Sequence, residues 1–164
     1  AYERVQVETN GLLPWPGFES LRMMRVVSPK CREESGCPVA YLRPNGEVLE
    51  AADCLKFVLS GDMTSPYCEV PEWARQWRAH HPAREIYVSP MAEYVATPQR
   101  TREMYETRRE ASLDARISAE VVSFWEPGLL DMTACRRNYE YAAQYALAHG
   151  LRLNLQMHLF ASLP

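Results

Sequence analysis

Six short runs rich in Val, Ile, Leu and Phe, most closed by turn residues, predict β-strands: RVQVE, MMRVVS, CLKFVLS, EIYVS, part of ISAEVVSFW, and LRLNLQMH. Helical spacing fills the gaps between them. In TACRRNYEYAAQYALAHG, residues Cys135, Tyr139, Ala142, Ala143, Ala146 and Leu147 recur on one helical face. Asp131 or Thr133 is placed to cap its start, and Gly150 to end it behind His149. VPEWARQWRAHH predicts a second helix, with Pro71 in the first turn and Trp73 and Trp77 one turn apart. TREMYETRREASLDAR predicts a third, whose mixed charge suits a solvated flap. CREESGCPVAYLRPNGEVLEAAD is broken by Pro and Gly and reads as a surface loop. Strands alternating with helices predict an α/β fold with a mostly parallel sheet.

In such a sheet the carboxyl ends of the strands share one rim, where ligands collect. Four strand ends are polar: Glu8-Thr9-Asn10 before Gly11, Ser28-Pro29-Lys30, Ser89-Pro90-Met91, and Gln156-Met157-His158. Proline stops a strand and fixes the chain, so each Ser-Pro pair is expected to hold a hydroxyl and a carbonyl outward; it equally starts an ordinary turn. Glu8, Thr9 and Asn10 are a set able to hold ribose or amino groups, or simply a turn closed by Asn-Gly. In the last strand, Leu151, Leu153, Leu155 and Met157 alternate with Arg152, Asn154, Gln156 and His158. The polar row faces either a lumen or solvent. LFASLP, after His158, is apolar enough to pack back and hold the ionised carboxylate of Pro164 near the rim.

Length and charge narrow this picture. The 164 residues, 47% of them hydrophobic, suit one globular domain, 1–164, with an insertion or flap around 93–130. A net charge of −3 and a pI near 5.8, with scattered Lys and Arg, point away from nucleic acid and toward a small ligand. The cysteines Cys31, Cys37, Cys54, Cys68 and Cys135 are odd in number and lack a C-x-x-C pair, the pattern of reduced thiols in a cytoplasm. No run reaches the roughly 18–20 apolar residues of a membrane span. The chain opens on a strand-like segment without lead-in, the pattern of a fragment.

Taken in order, VETNG, VVSPK, AADCLKFVLS, IYVSPM and LRLNLQMHLFASLP resemble the second half of 7-carboxy-7-deazaguanine synthase, a radical S-adenosylmethionine enzyme family of 7-deazaguanine and queuosine biosynthesis. The resemblance implies a partial (β/α) barrel of the radical S-adenosylmethionine type, its N-terminal strands missing. It also implies a cytoplasmic carbon–nitrogen lyase in which 6-carboxytetrahydropterin contracts to 7-carboxy-7-deazaguanine with loss of ammonia. S-adenosylmethionine, a [4Fe-4S] cluster and Mg²⁺ are the implied cofactors; a pterin and a second copy are the implied partners. By position, Ser28, Pro29 and Lys30 match one S-adenosylmethionine-binding turn and Ser89, Pro90, Met91 and Ala92 another. Pro164, through its carboxylate, Gln156 and His158 match substrate-binding positions. Ser89 stands where the family commonly has Gln, and Met157 and Leu159 where Thr and Lys flank the histidine. The motif C-x-x-x-C-x-x-C and the Gly-Gly-Glu strand are absent from these residues, so no catalytic or metal-ligating residue is expected here and the segment alone is expected to be inactive. The competing readings are another radical S-adenosylmethionine enzyme such as an activase, and a non-catalytic ligand- or protein-binding α/β domain. A zinc site from Cys31, Cys37 and His80 or His81 is a further, weaker alternative.

Overall fold

Leu55, Phe57 and Leu59 alternate with Cys54, Lys56 and Val58 along one strand, and that alternation sets the architecture. The computed structural model describes residues 5–15, 23–93 and 131–155. The chain divides into two compact units, Ala1–Met91 with Arg137–Asn154, and Ala92–Arg136 with Leu155–Pro164. The first holds a five-stranded sheet, in the order β1 (Val5–Thr9), β2 (Met23–Val27), β5 (Cys54–Leu59), β6 (Glu85–Pro90) and β7 (Arg152–Leu153). Every neighbouring pair is parallel. The α/β class and mostly parallel sheet expected from the strand–helix alternation are therefore present.

Side chains alternate across a strand, and the register carries that alternation from strand to strand. One face holds Val27, Leu55, Phe57, Leu59, Ile86 and Val88, all fully buried. Against it pack Val48 and Leu49 of α1 (Gly46–Glu50), Ala74 and Trp77 of α2 (Glu72–His80), and Ala142, Tyr145 and Ala146 of α3 (Met132–His149). Each large apolar side chain buried in this layer contributes about 1.5–3 kcal/mol. The opposite face carries Gln6 and Glu8, Met24 and Val26, Cys54, Lys56 and Val58, Glu85, Tyr87 and Ser89, then Arg152 and Asn154, a mixed set in which Val26 and Cys54 are buried. Parallel sheets are ordinarily apolar on both faces, so the charged and polar residues on this mixed face are the unusual feature of the fold.

Three expectations require correction. The segment expected to be a surface loop forms an antiparallel hairpin, β3 (Cys31–Glu34) with β4 (Cys37–Tyr41), followed by α1. Ser35 and Gly36, at φ 52° and 78°, make its tight turn. Asn45 caps α1 by accepting the Glu47 amide at 2.9 Å. Pro71 stands at the N-cap of α2, one position before the expected first turn. On α3 the buried positions are Cys135, Asn138, Ala142, Tyr145 and Ala146, whereas Leu147, expected on the apolar face, is 85% exposed. Asp131, not Thr133, caps this helix by accepting the Ala134 amide at 2.9 Å, and Gly150 follows it at φ 61°. The expected strand in ISAEVVSFW, the helix TREMYETRREASLDAR and most of the 93–130 flap lie outside the described residues.

Candidate functional site

Parallel pairing brings the carboxyl ends of β1, β2, β5, β6 and β7 to one rim, closed by short backbone bonds. The Ser28 amide donates to Thr9 O at 2.7 Å, Met91 N to Leu59 O at 2.7 Å, and Asn154 N to Val88 O at 2.8 Å.

At the first expected corner the strand does end before the proline, but Ser28 is buried, so its hydroxyl does not face outward as expected. β2 stops at Val27, Pro29 is buried behind it, and exposed Lys30 donates from Nζ to Ser28 Oγ at 3.3 Å. Lys30 therefore offers an exposed cation at this strand end, suited to a carboxylate, with buried Ser28 as its hydrogen-bond acceptor.

The second corner differs. β6 runs through Pro90 and does not stop at Ser89. In a parallel ladder the missing Pro90 N–H is the one that would reach Asn154 O, so it is the pairing with β7 that ends there. Ser89 is fully buried and its Oγ accepts Asn154 Nδ2 at 2.9 Å, so its hydroxyl does not face outward as expected. Met91 is half-buried; in the second unit Ala92 is half-buried as well. Ser28 and Ser89 lie on the same face but two strands apart, about 10 Å by strand spacing. They do not form one cluster.

At the first strand end, Glu8 and Thr9 belong to β1 itself and not to a turn after it. Thr9 Oγ1 accepts the Gly11 amide at 3.2 Å and Asn10 Oδ1 the Leu12 amide at 3.1 Å, which are turn-forming bonds. Gly11 is required here: at φ 80°, a Cβ would lie 2.7 Å from Pro44 Cβ and 2.9 Å from Val27 Cγ1. Glu8 instead reaches across β2 to Lys56, whose Nζ lies 3.1 Å from Oε2. Beside this pair, burial pushes the Cys54 thiol up to about 11, with Asp53 and Glu8 adding to the effect and Lys56 opposing it.

Further groups at this rim carry no warning in the sequence. Ser60, after β5, is buried and its Oγ accepts the Asp62 amide at 3.2 Å. Asp62 Oδ1 in turn accepts both the amide and the hydroxyl of Thr64, and these bonds hold its carboxyl below the ordinary aspartate range. Asn138 is fully buried between Gly61 and Met91. Lys56 sits inside a run that reads as a buried strand. The only available signal was Ser-Gly-Asp directly after CLKFVL, a strand end as polar as the four singled out.

Gln156, His158 and Pro164 lie outside the described residues. Among the described residues no three of His, Cys, Asp and Glu are grouped as metal ligands. The hairpin register places Cys31 opposite Tyr41 and Cys37 opposite Glu34, so the two cysteines of the zinc alternative sit at opposite ends of the ribbon. Among the described residues, no helix is long and apolar enough to cross a membrane. No family model, curated protein or solved structure matches the chain.

Proposed function

We propose that the chain is the carboxy-terminal part of a radical S-adenosylmethionine enzyme of the 7-carboxy-7-deazaguanine synthase type, with the strand-end rim holding cofactor and pterin. The observation that carries this reading is the asymmetry of the sheet. All three described α-helices pack on one face, and the other sets Gln6, Glu8, Lys56, Glu85, Ser89, Arg152 and Asn154 around Met24, Val26, Cys54, Val58 and Tyr87. A barrel wall carries its helices on one face only, whereas a doubly wound sheet covers both faces with helices. The finer fold is on this reading a partial (β/α) barrel.

Fit to each cofactor differs. Exposed Lys30, positioned by its bond to buried Ser28, supplies the cation that a carboxylate requires, and Met91 closes the end of β6, two strands away. When bound, S-adenosylmethionine supplies hydrogen-atom abstraction. Ser89 belongs in this reading as support for Asn154, since its hydroxyl is already engaged. The described residues do not fit an iron–sulfur cluster or Mg²⁺, and the 164 residues contain no C-x-x-x-C-x-x-C, so the reading places those ligands outside this segment.

Titration calorimetry with S-adenosylmethionine tests it. Lys30 is exposed, so its charge-assisted bond belongs at the low end of about 1.5–3 kcal/mol, and Lys30→Ala should weaken binding about 10-fold. Equal affinity would remove Lys30 from the site. An absence of binding at millimolar concentration would remove the reading.

A further inference from the structure

An amide side chain can accept at one end and donate at the other, and Asn138 uses both ends on the backbone of two neighbouring strand ends. Its side chain is fully buried. Oδ1 accepts the Gly61 amide, just after β5, at 2.7 Å, and Nδ2 donates to the Met91 carbonyl, just after β6, at 3.0 Å. The approach of the first turn to α3 is close. A Cβ on Gly61 would lie 3.0 Å from Arg137 Cγ and 3.2 Å from Arg137 O, so a side chain there requires Arg137 or the turn to give by a few tenths of an ångström. A small apolar side chain would occupy such a position without the cost of burying an amide. Packing therefore does not explain the residue; the two backbone groups it holds do.

We propose that Asn138 is a positioning residue that locks the turn after β5 to the turn after β6 and so fixes the spacing of two adjacent strand ends for one ligand held by both. The identity of that ligand rests on the S-adenosylmethionine reading above, whereas the lock does not.

The test compares Asn138→Leu and Asn138→Asp with Val48→Ala, a destabilised control in α1 whose side chain is fully buried in the core. Two quantities are read: hydrogen exchange at the Gly61 amide relative to Phe57, and affinity for S-adenosylmethionine. Asn138→Leu should speed Gly61 exchange at least about 10-fold while Phe57 stays protected, and should weaken the ligand about 10-fold. Asn138→Asp keeps the acceptor for Gly61 but loses the donor to Met91. It should leave Gly61 protected and still weaken the ligand, which a purely structural loss would not do. Val48→Ala should leave both readouts at wild-type values despite its lower thermal midpoint. Unchanged Gly61 exchange in Asn138→Leu, or an equal ligand loss in Val48→Ala, would overturn the proposal. Where the wild type takes up no S-adenosylmethionine, the functional reading fails and Gly61 exchange alone decides the lock.

Discussion

Phe57 and Lys56 are neighbours in one strand, yet the division of the sheet into two faces assigns them opposite energetic roles. Phe57 has no exposed surface and meets Tyr41 edge-on at 5.1 Å between centroids and Trp73 at 5.8 Å. The Tyr41 hydroxyl donates to Val58 O, which fixes that ring against the strand. Truncating Phe57 removes a whole ring from a rigid layer that can only partly collapse, so Phe57→Ala should cost about 3–5 kcal/mol. Lys56 has 21% of its side chain exposed and its partner Glu8 37%, and a pair so hydrated is worth about 0–1 kcal/mol. Lys56→Ala should therefore be nearly silent. Urea unfolding followed by tryptophan fluorescence measures both, with an unchanged slope showing that the folded and unfolded states are the same. Against a total of about 5–15 kcal/mol the contrast is large. A Phe57→Ala cost below about 1 kcal/mol, or a Lys56→Ala cost as large as that of Phe57→Ala, would refute the assignment of the apolar face to the helical layer.

Two further outcomes follow from the same geometry. Burial raises the Cys31 and Cys54 thiols, the latter to about 11, while Cys37 is exposed, so iodoacetamide at about pH 8 should label Cys37 in the folded protein and reach Cys31 and Cys54 only after denaturant is added. Mass spectrometry of the labelled peptides checks this, and early labelling of Cys54 would contradict its placement. The Asp62 carboxyl is lowered from 3.8 by its bonds to Thr64, so its stabilisation is complete above the unfolded value and is lost as pH falls through the lowered one. Urea midpoints taken from about pH 6 down to 3 should fall less steeply in Asp62→Asn than in the wild type; identical slopes would remove the Thr64 turn as a pH-dependent element.

What could be read from the chain was what depends on local pattern. CLKFVLS and EIYVS are apolar enough to mark β5 and β6, and Gly150 marks the end of α3 through the left-handed conformation it adopts. The β3–β4 hairpin was missed because nearly all of its residues are exposed, which leaves no alternation to see; only Ser35-Gly36 carried its turn. Asn138 and Leu147 mislead in opposite directions. A polar residue on an amphipathic helix reads as solvent-facing and a leucine as buried, yet tertiary partners placed Asn138 inside and left Leu147 out. Glu8 and Lys56 are 48 positions apart and meet only because β1, β2 and β5 pair in that order. Of the candidate corners, the end of β2 before Pro29 and the exposure of Lys30 were legible, whereas the burial of Ser28 was not. Ser89-Pro90 was not, because the effect of Pro90 falls on the partner strand β7.

The central claim is that a ligand sits at the strand-end rim on the mixed face of the sheet, and chemical-shift mapping of the ¹⁵N-labelled chain during titration with S-adenosylmethionine tests it most directly. The account predicts that amide shifts gather at Asn10, Ser28, Lys30, Gly61, Met91 and Asn154. The helical side offers a different place to bind, a cavity of about 220 Å³ lined by Arg43, Glu50, Trp73, Trp77 and His81. Shifts confined to that cavity, or none at millimolar ligand, would contradict the account.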